Sequence, residues 1–411
     1  MDKQVLYSYL LLALVKSISF ASTLITVPPL ILELQHRLRI TQRKVSSHNH
    51  HHTFEYQTGS ALAGEDGHDA VSNLLELLFQ SARYPPKLQE SAMYFFHHSI
   101  TPYLGGSLEP GQWQSFMTDD GNPLELSWDW SSGLSAPKIR YSIEPVGAKS
   151  GTNKDRWNLV APKHFREEII AKIPGASSDW LEHFSREFAV SIPDCNSKEG
   201  HCSTLFYAFD IGKNGDMVAK AYFFPRFKAA ARNISTWDVI TSSIQKAPGY
   251  TSQGLQALHF LANFFGQEPD INLEMLAIDL LPPTNSRIKI YFRSQRTDFA
   301  SVARIMTLNN TIKDRQYMQG IRKLHTLWTA IFESSDSTEE SLPEKSHRTA
   351  GVLYYVDFRI GDNIPKAKVY IPVRHYAKSD QHILQALTDY LEKDGKKEYL
   401  HGYRSVLSET L

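Results

Sequence analysis

The chain has 411 residues, with 44 Lys plus Arg against 44 Asp plus Glu, so its formal charge is zero. A balanced surface argues against nucleic acid as a partner, because binding a phosphate backbone calls for a net basic domain or stripe. At 42% hydrophobic and 21% charged residues the composition is that of a globular protein with a sizeable core. Two cysteines, Cys195 and Cys202, are too few for a disulfide-stapled scaffold, so a reducing, cytoplasmic location is the default expectation.

The first apolar stretch, Tyr7 to Ile25, is interrupted by Lys16 and offers no uninterrupted membrane span. A signal peptide ending near Ala21 and Ser22, an amphipathic anchor and a dispensable extension compete for this segment. Membrane association through it is not the favoured reading. The tract His48 to His52 sits among polar residues, and without a scaffold to fix metal ligands it reads as linker. Residues 1–53 are therefore taken as an extension, and 54–411 as one domain.

From residue 54 the periodicity predicts helices over Asp69–Ala82, Lys87–Ile100, Lys163–Ile173, Asp179–Val190, Gln253–Phe265, Asp298–Leu308, Asp314–Phe332 and Asp380–Lys393. Between them lie runs of strand character: PLELSWDW, APKIRYSIEP, STLFYAFDI, DMVAKAYFFP, EMLAIDLL, SRIKIYFRS, GVLYYVDFRI and PKAKVYIPV. Turn signals such as Asn214-Gly215-Asp216 and Pro282-Pro283-Thr284-Asn285 bound them. Helix, helix, strand, strand is neither the alternation of a parallel sheet nor an all-β sandwich. The Ser- and Glu-rich stretch Glu333–Arg348 reads as an exposed connection.

Side chains two apart on a strand share a face. Arg287, Lys289 and Tyr291 therefore oppose Ile288, Ile290 and Phe292, while Lys220 and Tyr222 oppose Ala219, Ala221 and Phe223. Lys368 and Tyr370 oppose Val369 and Ile371, and Glu125, Ser127 and Asp129 oppose Leu126, Trp128 and Trp130. Each strand alone fits a sheet with one face in water. Several strands that repeat a cation followed two residues later by Tyr fit that picture less well. If the apolar faces pack on helices, the polar faces line the inside of a closed sheet. Such an interior suits a multiply charged anion, to which Lys and Arg make charge-assisted hydrogen bonds. No GxxxxGK[ST] loop competes, and Asp119-Asp120-Gly121-Asn122-Pro123 lacks the further carboxylate of a magnesium-binding cluster, so no metal site is expected.

These blocks, in order PLELSWDW, KIRYSIEPVG, AKAYFFP, SRIKIYFRS and PKAKVYIPVRHY, resemble the fungal dimethylallyltryptophan synthase family of aromatic prenyltransferases from about residue 54 to the C-terminus. The resemblance implies an α+β fold, an antiparallel ten-stranded barrel surrounded by helices and built from repeated ααββ units. It implies transfer of a dimethylallyl or longer prenyl group from its diphosphate to an electron-rich aromatic acceptor, with no cofactor. Carried onto this chain, it makes Glu125 the acid that hydrogen-bonds the acceptor and helps remove its proton. Arg140, Lys220, Arg287, Lys289 and Lys368 become the diphosphate-binding cations, and Tyr222, Tyr291 and Tyr370 the shield of the allylic cation. Tyr399 and Tyr403 match, by spacing, late tyrosines that close the site. The expected partners are small molecules, the prenyl diphosphate and the acceptor. INLEMLAIDLLPPTNS contains no Lys or Arg to pair an amino-acid carboxylate, so a polycyclic phenol or indole-derived acceptor is preferred to free tryptophan. A barrel that binds a phosphorylated or isoprenoid ligand without turnover is the alternative, and Glu125 counts against it, since a carboxylate beside the cations would repel the ligand.

Overall fold

The computed structural model describes residues 65–410 apart from 107–111, 119–120, 131–134, 190–200, 252–253 and 255, together with three two-residue strands between Ala21 and Ile31. Those strands aside, the expectations for residues 1–53, the histidine tract included, and for Asp119-Asp120 lie outside the described residues.

Helices and hairpins alternate along the chain. Helices α1 (Glu65–Ser81) and α2 (Pro86–Phe95) precede β1 (Leu124–Asp129) and β2 (Lys138–Ile143). Helices α3 (Val160–Lys172) and α4 (Asp179–Phe188) precede β3 (Leu205–Ile211) and β4 (Met217–Phe223). Three helices, α5 (Arg226–Arg232), α6 (Thr236–Gln245) and α7 (Gln256–Gly266), precede β5 (Ile271–Asp279) and β6 (Ile288–Ser294). Helices α8 (Phe299–Met306) and α9 (Arg315–Phe332) precede β7 (Val352–Phe358) and β8 (Lys366–Tyr370). The chain continues through α10 (Val373–Tyr376), α11 (Asp380–Lys393) and α12 (Lys397–Thr410).

Local chemistry explains many of the boundaries. Ser235, Asp298, Asp314 and Ser379 cap α6, α8, α9 and α11, each side chain accepting from backbone N–H groups of the first turn. Pro86 opens α2, where its missing N–H costs nothing. The β3–β4 hairpin turns at Gly215, whose φ of 91° is open to glycine at no steric cost. Helices α5, α6, α10 and α12 are additional to those read from periodicity. The helix predicted to run from Lys87 to Ile100 changes at Phe96 into a π-turn.

All eight strands pair antiparallel with their sequence neighbours, in order from β1 to β8, and Leu30–Ile31 pairs parallel to β8 on its outer side. Outward side chains including Trp128, Tyr141, Phe209, Phe223, Ile278, Ile290, Phe292 and Val356 are buried with helix residues such as Leu75, Phe165, Leu181, Ile240, Leu261, Val302 and Leu324 in one core. Each such side chain contributes about 1.5 to 3 kcal/mol of burial free energy, so the helical jacket holds the sheet by its apolar face. No helix among the described residues is long and apolar enough to cross a membrane. Cys202 is disulfide-bonded. The stretch from Glu333 to Arg348 is mostly exposed, as its composition predicts.

Candidate active site

A cavity of about 630 Å³ is lined by residues from all eight antiparallel strands. Residues from β1 and β8, at opposite ends of the strand order, can share one cavity only if the sheet curls around it, so the polar faces look inward. Lys220, Lys289, Asp279 and Glu125 are each less than 10% exposed. A sheet with its polar face in bulk water would leave them open, and that reading is excluded.

The charged residues form a layer with a regular plan. In each hairpin the first strand supplies an aspartate and the second a cation, and the two are paired: Asp129 with Arg140, Asp210 with Lys220, Asp279 with Lys289, and Asp357 with Lys368. The Lys220–Asp210 contact is 2.5 Å and the Lys368–Asp357 contact 3.9 Å. Arg287 adds a fifth cation, its Nε donating to Asp279 Oδ2 at 2.7 Å. Arg140 Nε reaches Asp210 Oδ1 of the next hairpin at 3.0 Å, which links two pairs. Strand register sets this layer, placing Arg140 opposite Asp210, Lys220 opposite Asp279 and Lys289 opposite Asp357.

Burial and pairing compete at Arg140, Arg287, Asp210, Asp279 and the three lysines. Burial opposes ionisation of Arg140 and Arg287, but the adjoining aspartates more than offset it and raise both above the ordinary guanidinium value. Asp210 and Asp279 are held well below the usual carboxylate range: burial pushes them up, and the surrounding cations win. For the lysines burial prevails, taking Lys289 down to about 7 and Lys368 to about 8, with Lys220 also lowered. Five cations against four aspartates leave the layer short of negative charge. An incoming anion would restore the lysine protons that burial weakens.

Two residues beyond the cations of β4, β6 and β8 lie Tyr222, Tyr291 and Tyr370, and β7 adds Tyr355. Tyr291 sits at ring-centroid distances of 5.7 Å from Tyr222, 4.8 Å from Tyr355 and 6.1 Å from Tyr370. The Tyr370 hydroxyl meets that of Tyr291 at 3.4 Å. Lys368 Nζ lies 5.0 Å above the Tyr355 ring. Beyond the tyrosines Phe116, His201, Phe206 and Phe224 form a second aromatic wall, with Phe116 stacked on His201 at 4.7 Å. Glu125 lies on β1 opposite Ser142, toward this aromatic end, and faces the cavity.

The cavity thus gathers Glu125, Arg140, Lys220, Tyr222, Arg287, Lys289, Tyr291, Lys368 and Tyr370. Tyr399 and Tyr403 are corrected: both lie on α12, outside the sheet. Tyr403 is fully buried between Trp128 and Trp130, at centroid distances of 5.5 and 5.0 Å. Tyr399 packs with Arg83 and Lys213. A four-residue spacing defines one face of a helix, and this helix docks on α1 so closely that a Cβ on Gly402 would come within 2.6 Å of the Ser81 carbonyl oxygen. Residues not singled out from sequence are Tyr355, the aspartates Asp210, Asp279 and Asp357, and Arg226, Arg293 and Arg348 near the aromatic end. Arg293 forks onto Glu274, with Nε to Oε1 at 2.6 Å. Together these arginines place positive charge near the aromatic end.

Comparison with known proteins gives a consistent set. A family model described as tryptophan dimethylallyltransferase matches residues 68–406. The 4-O-dimethylallyl-L-tyrosine synthase of Claviceps purpurea is 33% identical, covering 82% of this chain and 79% of its own length. The 7-dimethylallyltryptophan synthase of Aspergillus fumigatus is 32% identical, covering 78% of this chain and 72% of its own. Among solved structures, NotF in complex with brevianamide F and DMSPP superposes with a TM-score of 0.70 at 21% identity, covering 82% of this chain and 83% of NotF. At that identity the likeness concerns the fold.

Proposed function

The chain belongs to the tryptophan dimethylallyltransferase family of aromatic prenyltransferases, and on that premise we propose how its cavity carries out the transfer and with which residues. The observation that carries the reading is the buried layer of five cations aimed by four aspartates beneath a cluster of tyrosines. Arg140, Lys220, Arg287, Lys289 and Lys368 receive the diphosphate. As the bond between C1 of the dimethylallyl group and the diphosphate oxygen breaks, its electron pair leaves with the diphosphate, and these fixed charges stabilise it there. The allylic cation left behind lies against the faces of Tyr222, Tyr291, Tyr355 and Tyr370, which exclude water and attract it. A π pair of the acceptor forms the new bond to carbon, and the proton released from the acceptor passes to the Glu125 carboxylate.

In this scheme side-chain cations do the work that magnesium does in enzymes with aspartate-rich clusters. The acceptor is an electron-rich aromatic bound between the tyrosines and the Phe116–His201 wall. With Arg226, Arg293 and Arg348 at that end, aromatic amino acids join indoles and polycyclic phenols as acceptors to be tested. For the fold we propose a ten-stranded barrel of repeated ααββ units. Its support is that every described hairpin follows helices and carries the same aspartate-then-cation pair.

Incubating the purified protein with dimethylallyl diphosphate, EDTA and a panel of aromatic amino acids, indoles and polycyclic phenols tests the reading. A product one prenyl unit heavier, formed in the chelator, is expected by mass spectrometry. Turnover that requires added magnesium would refute the cation layer as the sole counter-charge.

A further inference from the structure

The aromatic wall has an unusual support. Phe206 is carried on β3, whereas Phe116 and His201 sit on segments without regular secondary structure. Stacked on each other, these two rings complete the cavity at the end where Glu125 lies. Loop-borne rings need something to hold them at a fixed distance from the sheet, and the neighbours of both rings meet at one side chain. Glu144, two residues past Ser142 and only 1% exposed, accepts from Ser115 Oγ through Oε2 at 2.5 Å. Its Oε1 accepts from Trp113 Nε1 at 3.2 Å and from Asn158 Nδ2 at 3.4 Å. The buried Ser203 hydroxyl faces the same carboxyl group. Ser115 immediately precedes Phe116, and Ser203 follows His201 by two residues.

From this geometry we propose that Glu144 is a positioning residue for acceptor binding, clamping the segments that bear Phe116 and His201 against the sheet. It touches neither diphosphate cation nor proton acceptor. Its effect reaches the reaction through where the two rings stand, and so through which acceptor atom faces the allylic carbon. The clamp is anchored on its far side as well. Asn158 donates to the Pro145 carbonyl at 2.8 Å, and its side-chain oxygen accepts from Ser150 Oγ at 2.6 Å. The Glu144 N–H is fixed to the Pro123 carbonyl at 2.9 Å. Burial lifts the Glu144 carboxyl to about 7 although Ser115, Ser203, Trp113 and Asn158 all favour its charged form. Buried acids shifted this way concentrate at functional sites. Three converging donors, Ser115, Trp113 and Asn158, suit a group with two acceptor oxygens, and an amide cannot satisfy them all.

The inference rests on the proposed reaction, so its test has one readout that needs no turnover. In Glu144→Gln, which keeps the shape but turns an acceptor into a donor, amide hydrogen exchange in residues 112–118 and 201–206 should quicken while β1 and β2 stay protected. For an acceptor the wild type converts, KM should rise roughly tenfold or more, since small displacements of bound reactants are costly. The Kd for dimethylallyl diphosphate should stay within about twofold, and the regioisomer ratio should spread. Ser115→Ala, which cuts one tie, should show the same pattern more weakly. Unchanged exchange in both segments would overturn the clamp, whatever the activity. A lower melting temperature with acceptor KM and regioisomers unchanged would overturn it too, leaving Glu144 a packing residue. A wild type that turns over no acceptor would count against the proposed reaction, and the exchange comparison would still decide the clamp.

Discussion

Glu125→Gln is expected to lower kcat by about a thousandfold, equivalent to about 4 kcal/mol of transition-state stabilisation, while leaving diphosphate affinity within about threefold. The side chain is 5% exposed and lines the cavity beside the aromatic end. Gln keeps its size and its hydrogen-bonding oxygen but cannot take a proton at neutral pH. The diphosphate cations belong to the other layer and are untouched by the change, so binding and chemistry should separate. Single-turnover measurements with dimethylallyl diphosphate pre-bound read the chemical step directly. A mutant rate within tenfold of wild type would assign the proton to another acceptor.

Asp279→Asn should be the most damaging change in the charged layer. Asp279 is 2% exposed and holds Arg287 and Lys289 together, and its neighbour Lys220 adds to the positive field. Removing one partner of a buried pair leaves charge uncompensated, at a cost of about 3 to 5 kcal/mol. The sign follows from the depressed pKa: an aspartate held below its unfolded value contributes stability above that value and loses it only as pH falls toward the folded one. The deficit should therefore persist from pH 5 to 8. Thermal melts with and without dimethylallyl diphosphate give the diagnostic result, because an added anion compensates the freed cations. The diphosphate should raise the mutant's melting temperature more than the wild type's. Equal ligand-induced shifts would mean that Asp279 does not balance the diphosphate site. In the wild type Lys289 lies down at about 7, and bound diphosphate favours its charged form. Affinity should then weaken as pH rises from 7 to 9, as the lysine loses the proton that binding requires.

How much of this was legible in the sequence depends on which interaction sets each feature. The inward faces of β1, β4, β6 and β8 were readable because a period of two assigns side chains to faces wherever one face is apolar. Lys220, Tyr222, Arg287, Lys289, Tyr291, Lys368 and Tyr370 were reached by that rule, and Arg140 through resemblance. The aspartates were present in the same rows, as SWDW, AFDI, AIDL and YVDF, each ten or eleven residues before a cation of the next strand. Their meaning was hidden because pairing across a hairpin depends on register, which the turn fixes. The cations suit a ligand anion, yet the protein itself supplies most of the negative charge around them. Tyr399 and Tyr403 went the other way. Their spacing looked suggestive, but the segment is a helix, and Trp128 and Trp130 on the outer side of the sheet claim Tyr403. Phe116, His201 and Glu144 carried no periodic signal, since two of them ride on irregular loops and the third gains its role only when those loops fold back onto it.

In the proposed reaction side-chain cations alone hold the prenyl diphosphate, and calorimetric titration of the full chain with dimethylallyl diphosphate in EDTA reads that binding without turnover. Saturable binding by the wild type is predicted without any divalent cation. Arg287→Ala, which removes the charge-assisted donors on the exposed side of the layer, should weaken it roughly tenfold to a hundredfold. Binding that appears only when magnesium is added, or an Arg287→Ala protein that binds as tightly as wild type, would mean that the cation layer does not hold the diphosphate.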